Sequence, residues 1–239
     1  GGTPSALSAG NLSRILKAAR QYLPLAADCE ITLEGRVHDM TAERLDAAAA
    51  GGVNRVSLGV QTFNDEIRHA MQRIDGRDEM FKRLELLSTY RGIASVIDLI
   101  YGFPMQTESV WENDVKTAAA LALDGIDCYQ LNLFQKSPLA KRIEAGKLPP
   151  AATLAQAADR FAASDAILRS DPRWQRISNT PCIRLRGRRK TVRTCFYARA
   201  QFGRLGKTGD ARRKTRFCFD EALGALALVA DGRLCGRKR

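Results

Sequence analysis

Val96-Ile97-Asp98-Leu99-Ile100 forms the centre of an apolar run, Ala94–Ile100, of strand length. Apolar residues without alternation predict a strand buried on both faces, as in a parallel sheet sandwiched by helices. Asp98 breaks the run. An unpaired carboxylate buried there costs several kcal/mol, so it must find hydrogen-bond donors or a ligand.

Working outward, the same kind of element recurs. Upstream, helices are predicted near Asp65–Gln72 and Asp78–Tyr90, preceded by a strand at Arg55–Val60. Before that come a helix at Thr41–Ala50, with Thr41 as cap and Gly51-Gly52 as stop, and a strand at Glu30–Glu34. Leu12, Ile15, Leu16, Ala19 and Leu23 form the stripe of a first helix, with Ser8 as N-cap. Downstream, a helix near Ser109–Leu123 leads to a strand near Ile126–Leu131, and Pro149-Pro150 opens a helix over Ala151–Arg169. Strands separated by helices predict right-handed βα units and a parallel sheet.

The 239 residues are 45% hydrophobic and 27% charged, enough to bury a core. No apolar run approaches the ~18 residues of a membrane span, and no signal peptide is expected, so a cytoplasmic protein is expected. The net charge of +12 is unevenly placed. Residues 181–239 carry 17 Lys and Arg against four acids, whereas the first 180 carry 21 against 22. No two of the six cysteines lie closer than 13 positions, so no Cys-x-x-Cys pair offers a zinc or iron–sulfur site.

Ligands of parallel α/β sheets sit at the carboxyl ends of the strands. Glu34 ends one predicted strand, Gln61 ends the next, Asp98 lies near the end of the third and Asn132 follows the fourth. Gly1-Gly2-Thr3 would follow a strand upstream. Glu34, Gln61 and Asn132 also read as turn residues or helix caps, and Gly-Thr-Pro-Ser as a turn into a helix.

Four motifs occur in order: Gly-Gly-Thr-Pro-Ser at 1–5, Glu30-Ile31-Thr32-Leu33-Glu34, Arg55-Val56-Ser57-Leu58-Gly59-Val60-Gln61-Thr62-Phe63, and the ten residues from Asp98 to Thr107. Over about residues 1–180 the chain resembles the radical S-adenosylmethionine (SAM) enzymes of the oxygen-independent coproporphyrinogen III oxidase family. Glu34-Gly35-Arg36 and Tyr129-Gln130-Leu131-Asn132-Leu133-Phe134 look most like its anaerobic haem-degradation methyltransferases. The resemblance implies a partial (βα) barrel lacking its first, cluster-binding strand and loop. It divides the chain into a radical SAM core at 1–135, a helical family-specific extension at 136–180 and a basic tail at 181–239.

The resemblance also implies the cofactors and their contacts. Gly1, Gly2 and Thr3 would meet the methionyl end of SAM, while Glu34, Gln61, Arg73, Asp98 and Asn132 would bind its polar groups. These residues would orient SAM; none is expected to shuttle protons. A [4Fe–4S] cluster would donate an electron to the sulfonium and release a 5′-deoxyadenosyl radical, with electrons arriving from a flavodoxin or a reductase. The cluster's Cys-x-x-x-Cys-x-x-Cys motif lies upstream of the glycine motif in this family, so this fragment is expected to be inactive by itself. His38 and His69 show no ligand spacing and read as surface or satisfied residues.

The substrate implied is a tetrapyrrole. Haem would be opened by methyl transfer; a coproporphyrinogen oxidase or a haem chaperone of the same family is the alternative. Nucleic-acid binding through the basic tail is a reading from another class, and the neutral body without a nucleic-acid motif counts against it. The resemblance stops near Thr180, where charge jumps and apolar periodicity fades. Residues from about Pro181 are therefore expected to be out-of-frame or disordered sequence without a functional site.

Overall fold

The computed structural model describes residues 3–73 and 75–181, and the strand segments 192–198, 216–220, 225–230 and 233–234. Its elements are α1 (Ala9–Tyr22), β1 (Glu30–Gly35), α2 (Ala42–Ala50), β2 (Arg55–Gln61), α3 (Asp65–Ala70), α4 (Arg77–Ser88), β3 (Ala94–Tyr101), α5 (Glu108–Ala120), β4 (Gly125–Gln130), α6 (Pro138–Glu144), α7 (Leu154–Ser170) and β5 (Trp174–Pro181). Then follow β6 (Val192–Ala198), β7 (Arg216–Asp220), β8 (Ala225–Ala230) and β9 (Arg233–Leu234). Strands β1 to β4 form a parallel sheet, as the alternation of strand and helix predicts.

Two compact units divide the chain, with β2 and β3 running through both. The first comprises Gly1–Gly59, Asp78–Val96 and Phe202–Arg239. Its strands lie in the order β3-β2-β1-β7-β8-β9. Local signals fix this unit well. Ser8 caps α1 by accepting from the Asn11 amide, and Thr41 caps α2 by accepting from the Arg44 amide. Gly52 ends α2 at φ +82, a conformation that favours glycine. Asn54 sets the register of β1 against β2: its side chain accepts from the Ile31 amide at 2.8 Å and donates to the Cys29 carbonyl at 3.0 Å. Leu12 and Leu16 of α1 are buried, but Ile15 is 54% exposed, so the apolar stripe is narrower than the sequence suggests. Helix α1 packs against α2.

The second unit comprises Val60–Arg77 and Ile97–Gln201, with strand order β5-β6-β4-β3-β2. Its core is organised by α5. Trp111 is fully buried, tilts against Tyr101 of β3 at 5.4 Å between ring centroids, and donates its indole N–H to the Arg160 carbonyl of α7 at 2.7 Å. Gln106 closes the end of β3, accepting from the Gly102 amide at 2.7 Å and donating to the Ile100 carbonyl at 3.1 Å.

One expectation about β3 is corrected. The face that carries Tyr101 is buried throughout, at Ser95, Ile97 and Leu99 as well. The opposite face is buried at Val96 but only half-buried at Asp98 and Ile100. The strand is therefore not sealed on both faces, and Asp98 avoids full desolvation.

Beyond Trp174 the sequence shows no clear period, yet strands are formed. In the second unit β5 pairs antiparallel with β6, and β6 with β4. In the first, β7 pairs parallel with β1 and antiparallel with β8. The rest of the expected tail, including Arg184–Lys190 and Arg212–Lys214, lies outside the described residues.

Candidate functional site

In the first unit, the segment holding Thr3 is stitched to the carboxyl end of β1. Gly1 and Gly2 lie outside the described residues. Thr3 is extended, and its carbonyl accepts from the Ala6 amide to start a short 3-10 turn at Pro4–Ala6. Ser5 in that turn is buried; its hydroxyl donates to Asp39 at 2.8 Å and accepts from the Arg36 amide at 3.2 Å. Arg44 adds a second stitch, donating to the carbonyls of Leu7 at 2.8 Å and Asp39 at 3.1 Å. Glu34, two residues before the Arg36 amide that contacts Ser5, is exposed and shares a face of the sheet with Ser57, its partner in β2.

Asp39 is the electrostatic centre of this arrangement. Burial pushes its pKa up, but hydrogen bonds from Arg36 and Ser5 and the charges of His38 and Arg36 bring it net below the ordinary carboxylate value. His38 lies 3.3 Å from Asp39, so it is a partnered histidine. His69 is exposed.

In the second unit, Gln61 is conformationally unusual. Its φ is +71, and the Thr62 amide donates back across it to the Val60 carbonyl at 2.9 Å. Together these define a tight three-residue γ-turn of the rare, strained kind. A non-glycine residue held there costs ~1–3 kcal/mol and persists only where the surroundings enforce it. The side-chain oxygen of Gln61 is buried and has no hydrogen-bond donor. A buried carbonyl left without a donor costs ~1–3 kcal/mol more, so the site is poised to accept a hydrogen bond.

Two buried charges enforce the turn. Asp114 of α5 accepts from the Thr62 hydroxyl at 2.7 Å and from the Phe63 amide at 2.8 Å. Arg68 of α3 donates to the carbonyls of Val60 at 3.0 Å and Thr62 at 3.2 Å. Burial raises the Asp114 pKa to about 6, against the lowering effects of hydrogen bonds from Thr62, Phe63 and Gln106 and of the Arg77 charge. Burial likewise lowers Arg68, opposed by Asp75, Asp65 and Asp114.

The remaining sequence-predicted residues are also in the second unit. Asp98 is half-buried, three residues short of the end of β3. Asn132 is half-buried, two residues past β4, where the Leu131 amide donates to the Tyr101 carbonyl and prolongs the pairing with β3. Arg73 is half-buried beyond α3, after a left-handed residue at Gln72 with φ +57. Gln61, Asp98 and Asn132 thus belong to neighbouring strands or their carboxyl ends.

Sequence reasoning missed Asp114, Arg68 and Asp39. A signal for Asp114 exists: with Trp111, Val115 and Ala118 it falls on the buried stripe of α5, where an acid is out of place. Arg68 and Asp39 carry no such mark, since both lie in short polar segments.

A family description, the Radical SAM superfamily, matches residues 1–118. These residues are a radical SAM domain. Over 147 residues the chain is 46% identical to the anaerobilin synthase of Escherichia coli O157:H7, covering 62% of this chain and 33% of that protein. Over 134 residues it is 38% identical to the heme chaperone HemW of Escherichia coli (strain K12), covering 56% and 35%. The solved structure of the Escherichia coli coproporphyrinogen III oxidase (HemN), a radical SAM enzyme, superposes with a TM-score of 0.67 at 26% identity, over 86% of this chain and 44% of that one. The chain spans about a third of the length of these curated relatives.

A radical SAM domain implies SAM and a [4Fe–4S] cluster. The residues here fit SAM: the unsatisfied oxygen of Gln61 calls for a donor, and SAM offers an amino group, ribose hydroxyls and an adenine amine. Among the described residues no group of three or more His, Cys, Asp or Glu is placed to hold a metal ion. Among the described residues, too, no helix is long and apolar enough to cross a membrane.

Proposed function

We propose that this radical SAM domain binds SAM through Gly1, Gly2, Thr3, Glu34, Gln61, Arg73, Asp98 and Asn132, as part of an enzyme acting on a tetrapyrrole. The observation that carries the reading is the strained turn at Gln61 with its unsatisfied buried oxygen, at the carboxyl end of a parallel strand. The carboxylate of Asp98 suits the ribose hydroxyls, since it can accept from both. Gly1, Gly2 and Thr3 would take the amino-acid end. When bound, SAM and a cluster supply one-electron chemistry; this chain's residues fix the orientation of SAM and replace water around its polar groups.

The substrate reading is haem, opened without oxygen by methyl transfer, with electrons from a flavodoxin or reductase in the cytoplasm. Similarity at 46% to a protein named anaerobilin synthase supports it. A coproporphyrinogen oxidase or haem chaperone is the second reading, supported by the likeness to HemN and HemW.

The test is anaerobic incubation of the reduced, cluster-bearing enzyme that contains this domain with SAM and either haem or coproporphyrinogen. SAM-dependent loss of the haem absorbance with addition of a methyl mass supports the haem reading. Decarboxylation of coproporphyrinogen with haem untouched replaces it by the oxidase. Haem bound without turnover replaces it by the chaperone.

A further inference from the structure

We propose that Asp114 is a positioning residue for ligand binding, acting through Gln61. The proposal rests on the reading of Gln61 as a SAM contact and adds the device that sets its geometry.

The hydrogen bonds around Gln61 are distributed in a particular way. Its two neighbouring carbonyls, of Val60 and Thr62, are both taken by Nη1 of Arg68, at 3.0 and 3.2 Å. The hydroxyl of Thr62 and the amide of Phe63 are both taken by the one carboxylate of Asp114, at 2.7 and 2.8 Å. The Gln61 side-chain oxygen is left without a donor. The clamp therefore fixes the backbone on either side and keeps that oxygen available.

A purely structural role accounts poorly for this choice of residues. Asp114 is fully buried on the apolar stripe of α5, where an apolar side chain of similar size would avoid desolvating a charge. Its carboxylate contacts the turn after Gln61 from a helix 50 residues away in the chain. Burial pushes its pKa up, against the charge of Arg77. A fixed donor–acceptor pattern around a strained residue is what a preorganised contact requires.

The test is a thermodynamic cycle on SAM affinity, measured by calorimetry on the full chain. The proteins are wild type, Gln61→Ala, Asp114→Asn and the double variant. Thr62→Val, which replaces by a methyl the hydroxyl that donates to Asp114 and accepts from the Asn64 amide at 3.1 Å, takes the place of Asp114→Asn should that variant not fold. The expectation is that Gln61→Ala weakens SAM about threefold to tenfold. Asp114→Asn or Thr62→Val should weaken it comparably, and the double variant should bind no worse than Gln61→Ala. Additive losses would overturn the proposal, because Asp114 would then act independently of Gln61. Gln61→Ala weakening SAM while the Asp114 and Thr62 variants bind normally would overturn the proposal alone. A wild type that does not bind SAM, or a Gln61→Ala that binds as wild type, would overturn the reading of Gln61 and the proposal with it.

Discussion

A Cβ atom on Gly35 would lie 2.7 Å from both the Cβ and the hydroxyl oxygen of Ser5. The turn that follows Thr3 therefore reaches the end of β1 only because residue 35 has no side chain. This gives physical content to Glu34-Gly35-Arg36, one of the features behind the family resemblance. Met40 closes the same space, with its Cε 2.9 Å from that Cβ position.

Gly35→Ala should consequently destabilise the protein by overpacking, by ~1–3 kcal/mol. Urea unfolding checks it. A midpoint equal to wild type would show that Ser5 and Met40 move aside freely.

Ser5→Ala tests the same junction from the other side. It deletes one donor to Asp39, which keeps Arg36, and the acceptor for the Arg36 amide, and should cost about 1 kcal/mol because that amide is left without its partner. A neutral result in denaturant titration would mean that water replaces the hydroxyl.

The two perturbed aspartates should act on stability in different pH windows and with opposite signs. Asp114 titrates at about 6 when folded against 3.8 when unfolded, so the folded state takes up a proton first. Its contribution to stability should rise as pH falls from about 7 to about 4. Asp39 is lowered below 3.8, so its contribution is complete above that value and is lost as pH falls through its folded pKa. Melting temperatures across pH 3–7 should show Asp114→Asn removing the rise on acidification to about 4. An unchanged profile in that variant would contradict the burial of an ionised Asp114.

Trp111→Phe should lose the indole bond to the Arg160 carbonyl and leave that carbonyl buried without its donor, costing ~1–3 kcal/mol. Equilibrium unfolding followed by circular dichroism checks the value. No loss would mean that α7 re-packs over the gap.

The parts of the molecule that were legible in the sequence are those governed by local rules. Thr41, Ser8 and Gly51-Gly52 mark helix ends through chemistry confined to a few residues, and all three act where expected. The alternation of Val56, Leu58 and Val60 with polar or small residues, and the apolar run at 94–100 of strand length, both mark strands. The strand-end positions Gln61 and Asn132 follow from the same logic. What the sequence does not display is long-range polar pairing. Asp39 reaching Ser5, and Asp114 reaching Thr62, join residues 34 and 52 positions apart. The left-handed turn at Gln61 is hidden for the same reason, because it is imposed by those partners and not by glutamine's own preference. Beyond Trp174 the pairing of β6 with β4 and of β7 with β1 rests on partners distant in the chain, and local periodicity carries no trace of it.

In the proposed SAM site, Asp98 of β3 accepts from the ribose hydroxyls. Calorimetric titration of SAM into the complete, cluster-bearing enzyme, wild type and Asp98→Ala, tests it most directly. A charge-assisted hydrogen bond is worth ~1.5–3 kcal/mol, so wild type should bind one SAM and Asp98→Ala should bind it roughly 10- to 100-fold more weakly. Equal affinity in the two proteins, or no binding by wild type, would contradict the account.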